Sequence, residues 1–295
     1  MNNDDTKEGI SNLISQELHS KDKILKPDFN QKTGRELLAF YLQTKFKQIL
    51  AFDKKASIPV FINIKPDFIA RFSKRLINKP NKRFLIGITG ESASGKSTIC
   101  REIQNVIQKL DLPVSIITTD NYFNDISELI SKYGGFDNLR DNGYDIDAPQ
   151  NFQLELLRHD LEKVASGEDI YTPEYLPNGT GVSVPLSQFI PSKKIVVVEG
   201  MATMYEGIQD LFDVKIYIET DIEVRRRRFL TRACDERNQD MENALKHWEY
   251  ILSAGQKYII PSRKDMDIIL NGDSSLEYFS QILEYIHTIT NNFEQ

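Results

Sequence analysis

The chain has 295 residues, of which 27% are charged and 40% hydrophobic, and its formal net charge is −6. This composition is typical of a globular protein and excludes a disordered chain, a collagen-like repeat and a disulfide-stapled miniprotein. The two cysteines, Cys100 and Cys234, form no CxxC pair, so we expect neither a disulfide framework nor a zinc site. No apolar run reaches the ~18 residues of a membrane span, and the N-terminus does not resemble a secretory signal. We therefore expect a cytoplasmic protein without membrane association.

Charge divides the chain near residue 82. Residues 1–82 carry a net charge of +7, and residues 83–295 carry −13. Apolar residues of the first part recur mostly at helical spacing, except in Val60–Ile64, a candidate short strand. We expect two domains, a mainly helical, basic N-terminal extension over 1–82 and a second domain over 83–295. The extension has no dense Lys/Arg run, so nucleic acid is not expected as a partner; docking on the acidic domain or on a second subunit of a homo-oligomer remains open.

A glycine-rich loop stands between a predicted strand, Phe84–Ile88, and a predicted amphipathic helix, 99–110. It matches the Walker A pattern G-x-x-x-x-G-K-[ST] of phosphate-binding loops (P-loops) at Gly90, Gly95, Lys96 and Ser97. The alternative, a glycine-rich turn without a ligand, does not account for this flanking strand and helix.

Each residue type in the loop has a physical role in binding a nucleoside triphosphate. Glycines let successive N–H groups face phosphate oxygens, and the helix beginning near Lys96 adds its positive N-terminal end. Lys96 is expected to reach the β- and γ-phosphates, and the Ser97 hydroxyl to bind Mg²⁺. ATP and Mg²⁺ are therefore the expected cofactors. The residues expected to bind the nucleotide are Gly90, Glu91, Ser92, Ala93, Ser94, Gly95, Lys96, Ser97 and Thr98.

Two further apolar runs end in an acid. The run 114–119 is followed by Asp120, and the run 194–198 by Glu199. Ligands of open α/β sheets bind at the carboxyl ends of the strands. Asp120 is thus a candidate base for an attacking hydroxyl, and Glu199 a candidate residue of the Mg²⁺ shell. A helix N-cap is the alternative for both acids, and a solvent-facing glutamate is a further alternative for Glu199.

A fourth run, Val214–Glu219, precedes a predicted helix rich in arginine. Arg225, Arg228 and Arg232 have the spacing i, i+3, i+7 and share one helix face. A cationic face over a nucleotide site neutralises charge that develops in phosphoryl transfer, so these three are candidate catalytic residues. A solvated surface is the alternative. A fifth run, Asp267–Leu270, predicts the last strand.

An ordered set of motifs runs through residues 83–275: Gly90–Thr98, Asp120-Asn121-Tyr122, Asp147-x-Pro149-x-x-Phe152, Pro173-x-Tyr175, Glu199-Gly200, the spaced arginines and Pro261-x-x-Lys264-x-x-Asp267-x-Ile269. The set resembles uridine kinases, members of the phosphoribulokinase/uridine kinase group of P-loop kinases. The resemblance implies a three-layer α/β sandwich with a five-stranded parallel sheet of order 2-3-1-4-5. It also implies transfer of the ATP γ-phosphoryl group to a primary hydroxyl of a small molecule.

The resemblance to uridine kinases also implies roles for individual site residues. Asp120 resembles the catalytic base, Glu199 the residue on the Mg²⁺ shell, and Asp147 the acid that holds ribose hydroxyls. Tyr175 resembles the aromatic residue near the base. With Tyr122 of the second motif, Asp120, Asp147 and Tyr175 form the expected acceptor site. The spaced arginines resemble those of a mobile lid, with Lys96 and Asp120 as the other catalytic residues.

The segment after Tyr175 departs from the uridine kinase pattern. Pro177 and Thr180 stand where an aromatic residue and a histidine would read the pyrimidine, although Asn178-Gly179 still predicts a hairpin turn. The stretch Gly134–Asp145 is also unlike a minimal uridine kinase. The best-supported acceptor is the 5′-hydroxyl of uridine or cytidine. The alternatives are another nucleoside, a sugar phosphate or a pantothenate- or glycerate-like alcohol and, from another class, a nucleotide-gated regulatory binding protein.

Overall fold

A computed structural model describes residues 3–19, 31–78, 82–109, 113–176 and 179–291. The strands are β1 (Phe61–Ile64), β2 (Phe84–Gly90), β3 (Val114–Thr118), β4 (Ile170–Tyr175), β5 (Ser183–Ile190), β6 (Ile195–Glu199), β7 (Val214–Glu219) and β8 (Ile268–Asn271). The α-helices are α1 (Asn3–His19), α2 (Lys32–Asp53), α3 (Phe68–Asn78), α4 (Lys96–Lys109), α5 (Ser127–Tyr133), α6 (Phe136–Asp141), α7 (Leu154–Ser166), α8 (Ile222–Thr231), α9 (Met241–Ala254) and α10 (Leu276–Asn291).

The chain divides into two compact units. The smaller unit holds the described residues of Met1–Asn81, Thr98–Leu112 and Asp267–Gln295, and the larger unit those of Lys82–Ser97 and Pro113–Met266. These bounds differ from the predicted division into 1–82 and 83–295, which stays a prediction. Among the helices built from the described residues, none combines the length and the apolar content that crossing a membrane requires.

The larger unit contains a parallel sheet with the strand order β3-β6-β2-β7. Strand β2 is central, with Leu85 opposite Val196 of β6. Parallel strands covered on both faces read as continuous apolar runs, and this is why the sequence pattern located them. The order agrees with the first four positions of the expected 2-3-1-4-5, so the α/β fold class is confirmed.

The smaller unit holds the fifth predicted strand, β8, and the candidate short strand Val60–Ile64, which the structure shows as β1, Phe61–Ile64. Strand β1 pairs antiparallel with β8, with Phe61 opposite Leu270 and Ile64 opposite Ile268. The buried Asp53 at the end of α2 accepts hydrogen bonds from the N–H groups of Val60 and Phe61, each 2.8 Å long. This carboxylate therefore fixes the start of β1 against the end of α2.

The carboxyl ends of β3 and β6 lie side by side. Thr118 and Glu199 are paired in the register of the two strands, and Asp120 follows in a short 3₁₀ helix. Gly200 has a φ of 129°, and a Cβ there would lie 2.0 Å from the Thr119 hydroxyl oxygen. Only glycine permits this approach, which brings Asp120 and Glu199 to the same edge of the sheet.

A two-stranded hairpin lies beside the sheet. Strand β4 pairs antiparallel with β5, with Ile170 opposite Ile190 and Tyr175 opposite Ser183. Asn121 anchors it, because its amide donates to the Gln188 side chain (3.1 Å). The antiparallel pair agrees with the predicted hairpin. Residues 177 and 178 of the predicted turn lie outside the described residues.

Candidate active site

The P-loop has the backbone that its glycines predict. Gly90 has a φ of 154°, and a Cβ there would lie 2.5 Å from the carbonyl oxygen of Ile218 on β7. Gly95 has a φ of 96°, and Ala93 adopts the left-handed region with a φ of 61°. A non-glycine residue in this region is strained, and such strain concentrates where ligands bind. The loop therefore forms the narrow turn that a phosphate-binding backbone requires.

Lys96 begins α4 and folds back over the loop. Its ammonium group donates to the carbonyl oxygens of Gly90 (2.7 Å) and Glu91 (3.1 Å). The buried hydroxyl of Ser94 has no hydrogen-bond partner among the described residues. The Lys96 ammonium group, the Ser94 hydroxyl and the backbone N–H groups of the loop together suit the phosphates of a nucleotide.

An open cleft of about 1280 Å³ lies within the larger unit. This volume exceeds that of most single-ligand pockets, which are about 300–1000 Å³, and suits a nucleotide together with an acceptor. The predicted site residues that line it are Ser92, Ala93, Lys96, Asp120, Asp147, Tyr175 and Arg232. The cleft thus brings together the P-loop lysine, the candidate base and the candidate acceptor residues.

The acids at the strand ends share the field of Lys96. The Asp120 carboxylate faces the water of the open cleft but is surrounded by protein atoms, which raise its pKa above the ordinary value, while Lys96 opposes this rise. The pKa of Glu199 is also raised, first by burial and then by Asp120, with Lys96 and the Thr118 hydroxyl acting in the other direction. Filling the cleft with substrate would strengthen the effect on Asp120, because water would leave.

The carboxyl group of Asp147 changes its protonation state close to neutral pH. Burial raises its pKa to about 6, and the carboxylates of Asp145 and Asp120 add to the rise. Arg140 and Lys96 oppose it. Asp147 therefore lies close enough to both Asp120 and Lys96 to be part of the same electrostatic site.

Asn151 and Tyr205, which the sequence analysis did not single out, hold the backbone at Asp147. The Tyr205 hydroxyl donates to the Asp147 carbonyl oxygen (2.7 Å). The Asn151 amide donates to the carbonyl oxygens of Asp145 (2.5 Å) and Ile146 (3.1 Å). Asn151 lies inside the motif Asp147-x-Pro149-x-x-Phe152, at one of its unassigned positions, so motif reading alone could not assign its role.

Aromatic rings packed at tilted angles form one wall of the cleft. The ring centroids of Phe123 and Phe152 are 4.1 Å apart, and those of Phe123 and Tyr175 are 5.3 Å apart. Phe123 and Tyr175 line the cleft. Such a surface can pack against a planar ring or an apolar ligand. Phe123 directly follows the motif Asp120-Asn121-Tyr122, but its role depends on the hairpin that carries Tyr175.

The stretch Gly134–Asp145 contributes to the lining of the cleft through α6 and the residues after it. Arg140 lines the cleft and is ion-paired with Asp137. Its guanidinium lies 6.0 Å from the ring centroid of Tyr250 on α9, and the Tyr250 hydroxyl donates to Asp141 (2.9 Å). This stretch is therefore joined to α9 and adds a cation to the acceptor side of the cleft.

The three spaced arginines do not share a common environment. Arg225 is buried under the P-loop, whereas Arg228 is exposed and does not line the cleft. Arg232 lines the cleft and lies 3.8 Å from Glu236. Helix α8 ends at Thr231 and a π-helical turn follows, so Arg232 belongs to a different segment from the other two. Their joint catalytic role stays a prediction, which the position of Arg225 argues against.

Tyr122, a predicted acceptor-site residue, also lies away from the cleft. Its side chain is fully buried and does not line the cleft. Its hydroxyl donates to Asp160 of α7 (2.9 Å). Binding of a substrate by Tyr122 stays a prediction, and this geometry argues against it.

The metal-binding prediction concerns Ser97 and Glu199. Ser97 is exposed at the start of α4, and Glu199 is partly buried at the end of β6. Within the described ranges, no three His, Cys, Asp or Glu side chains come together as a metal cage. Mg²⁺ in phosphate sites uses one or two protein oxygens together with phosphates and water, so this small donor set fits Mg²⁺.

Curated relatives resemble between about two thirds and three quarters of the chain. The uridine kinase of Staphylococcus epidermidis is 31% identical over 192 residues, which cover 64% of this chain and 88% of that protein. The chloroplastic uridine/cytidine kinase UKL1 of Arabidopsis thaliana is 27% identical over 214 residues, 71% of this chain and 42% of that protein. The chain spans less than half the length of the Arabidopsis relatives it matches.

The chain is also similar in fold to a solved structure, and most of it matches one protein family. The structure of D-glycerate 3-kinase from Cryptococcus neoformans is similar with a TM-score of 0.51 at 9% identity, covering 70% of this chain and 94% of that one. At this identity the likeness concerns the fold alone. The phosphoribulokinase/uridine kinase family matches residues 85–275. The chain therefore belongs to the phosphoribulokinase/uridine kinase family.

Proposed function

We propose that the protein transfers the γ-phosphoryl group of ATP, with Mg²⁺, to a hydroxyl of a small molecule, and that the 5′-hydroxyl of uridine or cytidine is the acceptor. The observation that carries the proposal is the coupling of Asp120 to Lys96 on one side and to Asp147 on the other, in one cleft. A base between a phosphate-binding lysine and a hydroxyl-binding acid suits phosphoryl transfer to an alcohol. The names of the curated relatives support the choice of uridine and cytidine.

The P-loop would hold the triphosphate. Its N–H groups and the Ser94 hydroxyl would bind phosphate oxygens, and Lys96, which now donates to the carbonyl oxygens of Gly90 and Glu91, would donate to the phosphates instead. Ser97 and Glu199 would hold Mg²⁺, directly or through water. Bound Mg-ATP would supply the electrophilic phosphorus, and the positive charge of Mg²⁺ would offset the negative charge of the phosphate oxygens. Arg232, which lines the cleft from the turn after α8, adds a further cation near the phosphates.

Asp120 would act as the general base. Its carboxylate accepts the proton of the acceptor hydroxyl as the oxygen attacks, so it must be ionised in the reactive complex. The raised pKa of Asp120 makes the carboxylate more basic than an ordinary aspartate and improves its match to a hydroxyl proton. Lys96 opposes the rise in the pKa of Asp120 and so favours the ionised form.

The acceptor would be oriented by Asp147 and the aromatic wall. The Asp147 carboxylate can accept hydrogen bonds from two adjacent hydroxyls, a pattern that suits a ribose. Phe123 and Tyr175 offer an aromatic surface for a base. Holding the acceptor at both ends places its remaining hydroxyl near Asp120, which lowers the entropic cost of the transfer.

The test is ADP release by the purified protein with Mg-ATP and a panel of acceptors. Turnover that requires uridine or cytidine supports the full proposal. Turnover only with another alcohol keeps the reaction and overturns the acceptor. Binding of Mg-ATP without turnover on any acceptor favours the nucleotide-gated regulatory protein instead.

Arg140 favours one second candidate, an alcohol that carries a phosphate or carboxylate. It lines the cleft from α6, and its ion pair with Asp137 uses only part of the guanidinium group. A guanidinium has five donors in a planar fork that matches such anions. The same panel therefore includes a sugar phosphate, pantothenate and glycerate, and Arg140→Met is expected to raise the KM of an anionic acceptor only.

A further inference from the structure

An acid stands inside the P-loop. Glu91 directly follows Gly90, and its side chain is only 15% exposed. A carboxylate at this place repels the phosphates that the loop attracts, and the low local exposure limits screening by water. The charge of Glu91 must therefore be neutralised before the loop can bind a triphosphate well.

Arg225 supplies the opposite charge from α8. Its Nη1 lies 2.8 Å from Oε2 of Glu91, and its Nε donates to the carbonyl oxygen of Ser92 (3.1 Å). The Arg225 side chain is 3% exposed. One guanidinium thus holds a side chain and a carbonyl of two consecutive loop residues, and this fixes the loop in two places.

Helix α9 holds Arg225 from the other side. The guanidinium lies 5.5 Å from the ring centroid of the buried Trp248, within the range of a cation–π contact. At the end of α9, a Cβ on Gly255 would lie 2.8 Å from Oε1 of Glu91. The glycine leaves the room that the carboxylate occupies, so α8 and α9 together fix the Glu91–Arg225 pair.

The same loop residue also contacts the phosphate-binding lysine. The carbonyl oxygen of Glu91 accepts a hydrogen bond from Lys96 (3.1 Å), while its side chain is held by Arg225. A shift of Glu91 therefore changes both the charge and the position of groups around the phosphate site. The pair connects the loop to Trp248 through direct contacts.

We propose that Arg225 is a positioning residue for the P-loop: it neutralises Glu91, holds the loop in its binding conformation and links nucleotide binding to Trp248. This inference rests on the proposed function, since it takes Mg-ATP as the ligand of the loop. It assigns Arg225 a role different from that of a lid arginine that stabilises transferring charge.

The experiment uses Trp248, the single tryptophan of the chain, as the reporter of binding. Mg-ATP is titrated into the full-length protein with detection of tryptophan fluorescence and, independently, of heat. For Arg225→Met, we expect the Kd for Mg-ATP to rise by about tenfold or more, because a buried carboxylate is left unpaired beside the phosphates. The double variant Glu91→Gln/Arg225→Met is expected to recover most of this loss.

Arg226→Met is the matched control, because Arg226 is an exposed neighbour on α8 that lies 4.0 Å from Glu223. It should bind Mg-ATP like the wild type. Melting curves accompany each titration, and the double variant, which has no unpaired buried charge, keeps the test valid if Arg225→Met does not fold.

Three outcomes decide against the inference or its basis. An unchanged Kd with a reduced kcat in Arg225→Met would make Arg225 a catalytic lid residue. A double variant that binds no better than Arg225→Met would exclude neutralisation of Glu91 as its role. A wild-type protein that does not bind Mg-ATP at all would overturn the proposed function itself.

Discussion

The hydroxyl of Tyr122 donates a 2.9 Å hydrogen bond to Oδ2 of Asp160, and both side chains are buried away from the cleft. The bond joins the segment after β3 to α7. Burial raises the pKa of Asp160, and the hydrogen bond from Tyr122 opposes that rise. The tyrosine therefore stabilises a buried carboxylate, and the next residue, Phe123, is the one that lines the cleft.

Tyr122→Phe is expected to change stability and leave acceptor binding unchanged. The variant keeps the ring and leaves Asp160 without this partner, which costs about 1–3 kcal/mol in the free energy of unfolding. Urea unfolding measures the first quantity and the KM of the acceptor the second. A KM several-fold higher at unchanged stability would instead place the hydroxyl in contact with the substrate.

Asp120→Asn is expected to lower kcat about 10²- to 10⁴-fold, because the amide cannot accept the hydroxyl proton. The Kd for Mg-ATP should change little, since the P-loop contacts are unaffected. ADP release with the accepted substrate and nucleotide titration measure the two effects. Full turnover in the variant would remove Asp120 from the role of base.

The acceptor kcat/KM should fall as the pH drops through about 6. The carboxylate form of Asp147 binds hydroxyls, and burial raises its pKa to about 6, so protonation removes this form at a pH where an ordinary aspartate, with a pKa of 3.8, stays ionised. A pH–rate profile under initial-rate conditions measures this. A profile that stays flat down to about pH 5 would contradict the assignment.

The same shift makes a stability prediction for Asp147→Asn. The pKa of Asp147 in the folded state lies above its value in the unfolded state. The charged carboxylate therefore lowers the free energy of unfolding, and this loss is fully present above about pH 6. Removing the charge should raise the melting temperature by several degrees at about pH 8 and leave it unchanged below about pH 4. Activity is expected to fall in the same variant, because residues that serve a functional site often lower the stability of the folded protein.

Asn151→Ala tests how the Asp147 segment is held. Loss of the amide leaves the carbonyl oxygens of Asp145 and Ile146 without these donors, which costs about 1–3 kcal/mol. We expect the KM of the acceptor to rise more than kcat falls, because the change concerns positioning. Asn142→Ala, which removes an exposed contact to Asn138, is the matched control and should alter neither quantity. Equal effects in both variants would contradict the role of Asn151.

Asp53→Ala tests the fixing of β1 in the smaller unit. Asp53 is 1% exposed and accepts two backbone hydrogen bonds, so its removal should cost about 3 kcal/mol. Asp67→Ala, which removes an exposed pair with Arg71, should change the free energy of unfolding far less, because solvent screens an exposed pair. Chemical unfolding compares the two. Similar losses in the free energy of unfolding would show that the buried hydrogen bonds of Asp53 stabilise the protein no more than an exposed ion pair does.

The local sequence was sufficient for the elements and for the chemistry at the strand ends. Phe84–Ile88 and the run 194–198 are apolar without alternation because parallel strands are buried on both faces, and the glycines of the P-loop are required by its backbone. Asp120 and Glu199 follow their strands directly, so their placement at one edge follows from strand direction alone.

The tertiary structure decided which side chains share the cleft. Arg225 and Arg232 have one helical spacing in the sequence, but packing against Glu91 and Trp248 buries the first, and the end of α8 leaves the second at the cleft. Tyr122 is adjacent to Phe123, yet only the latter lines the site. Periodicity records which residues share one face, whereas burial and pairing depend on segments distant in the chain, and these meet only when the fold forms.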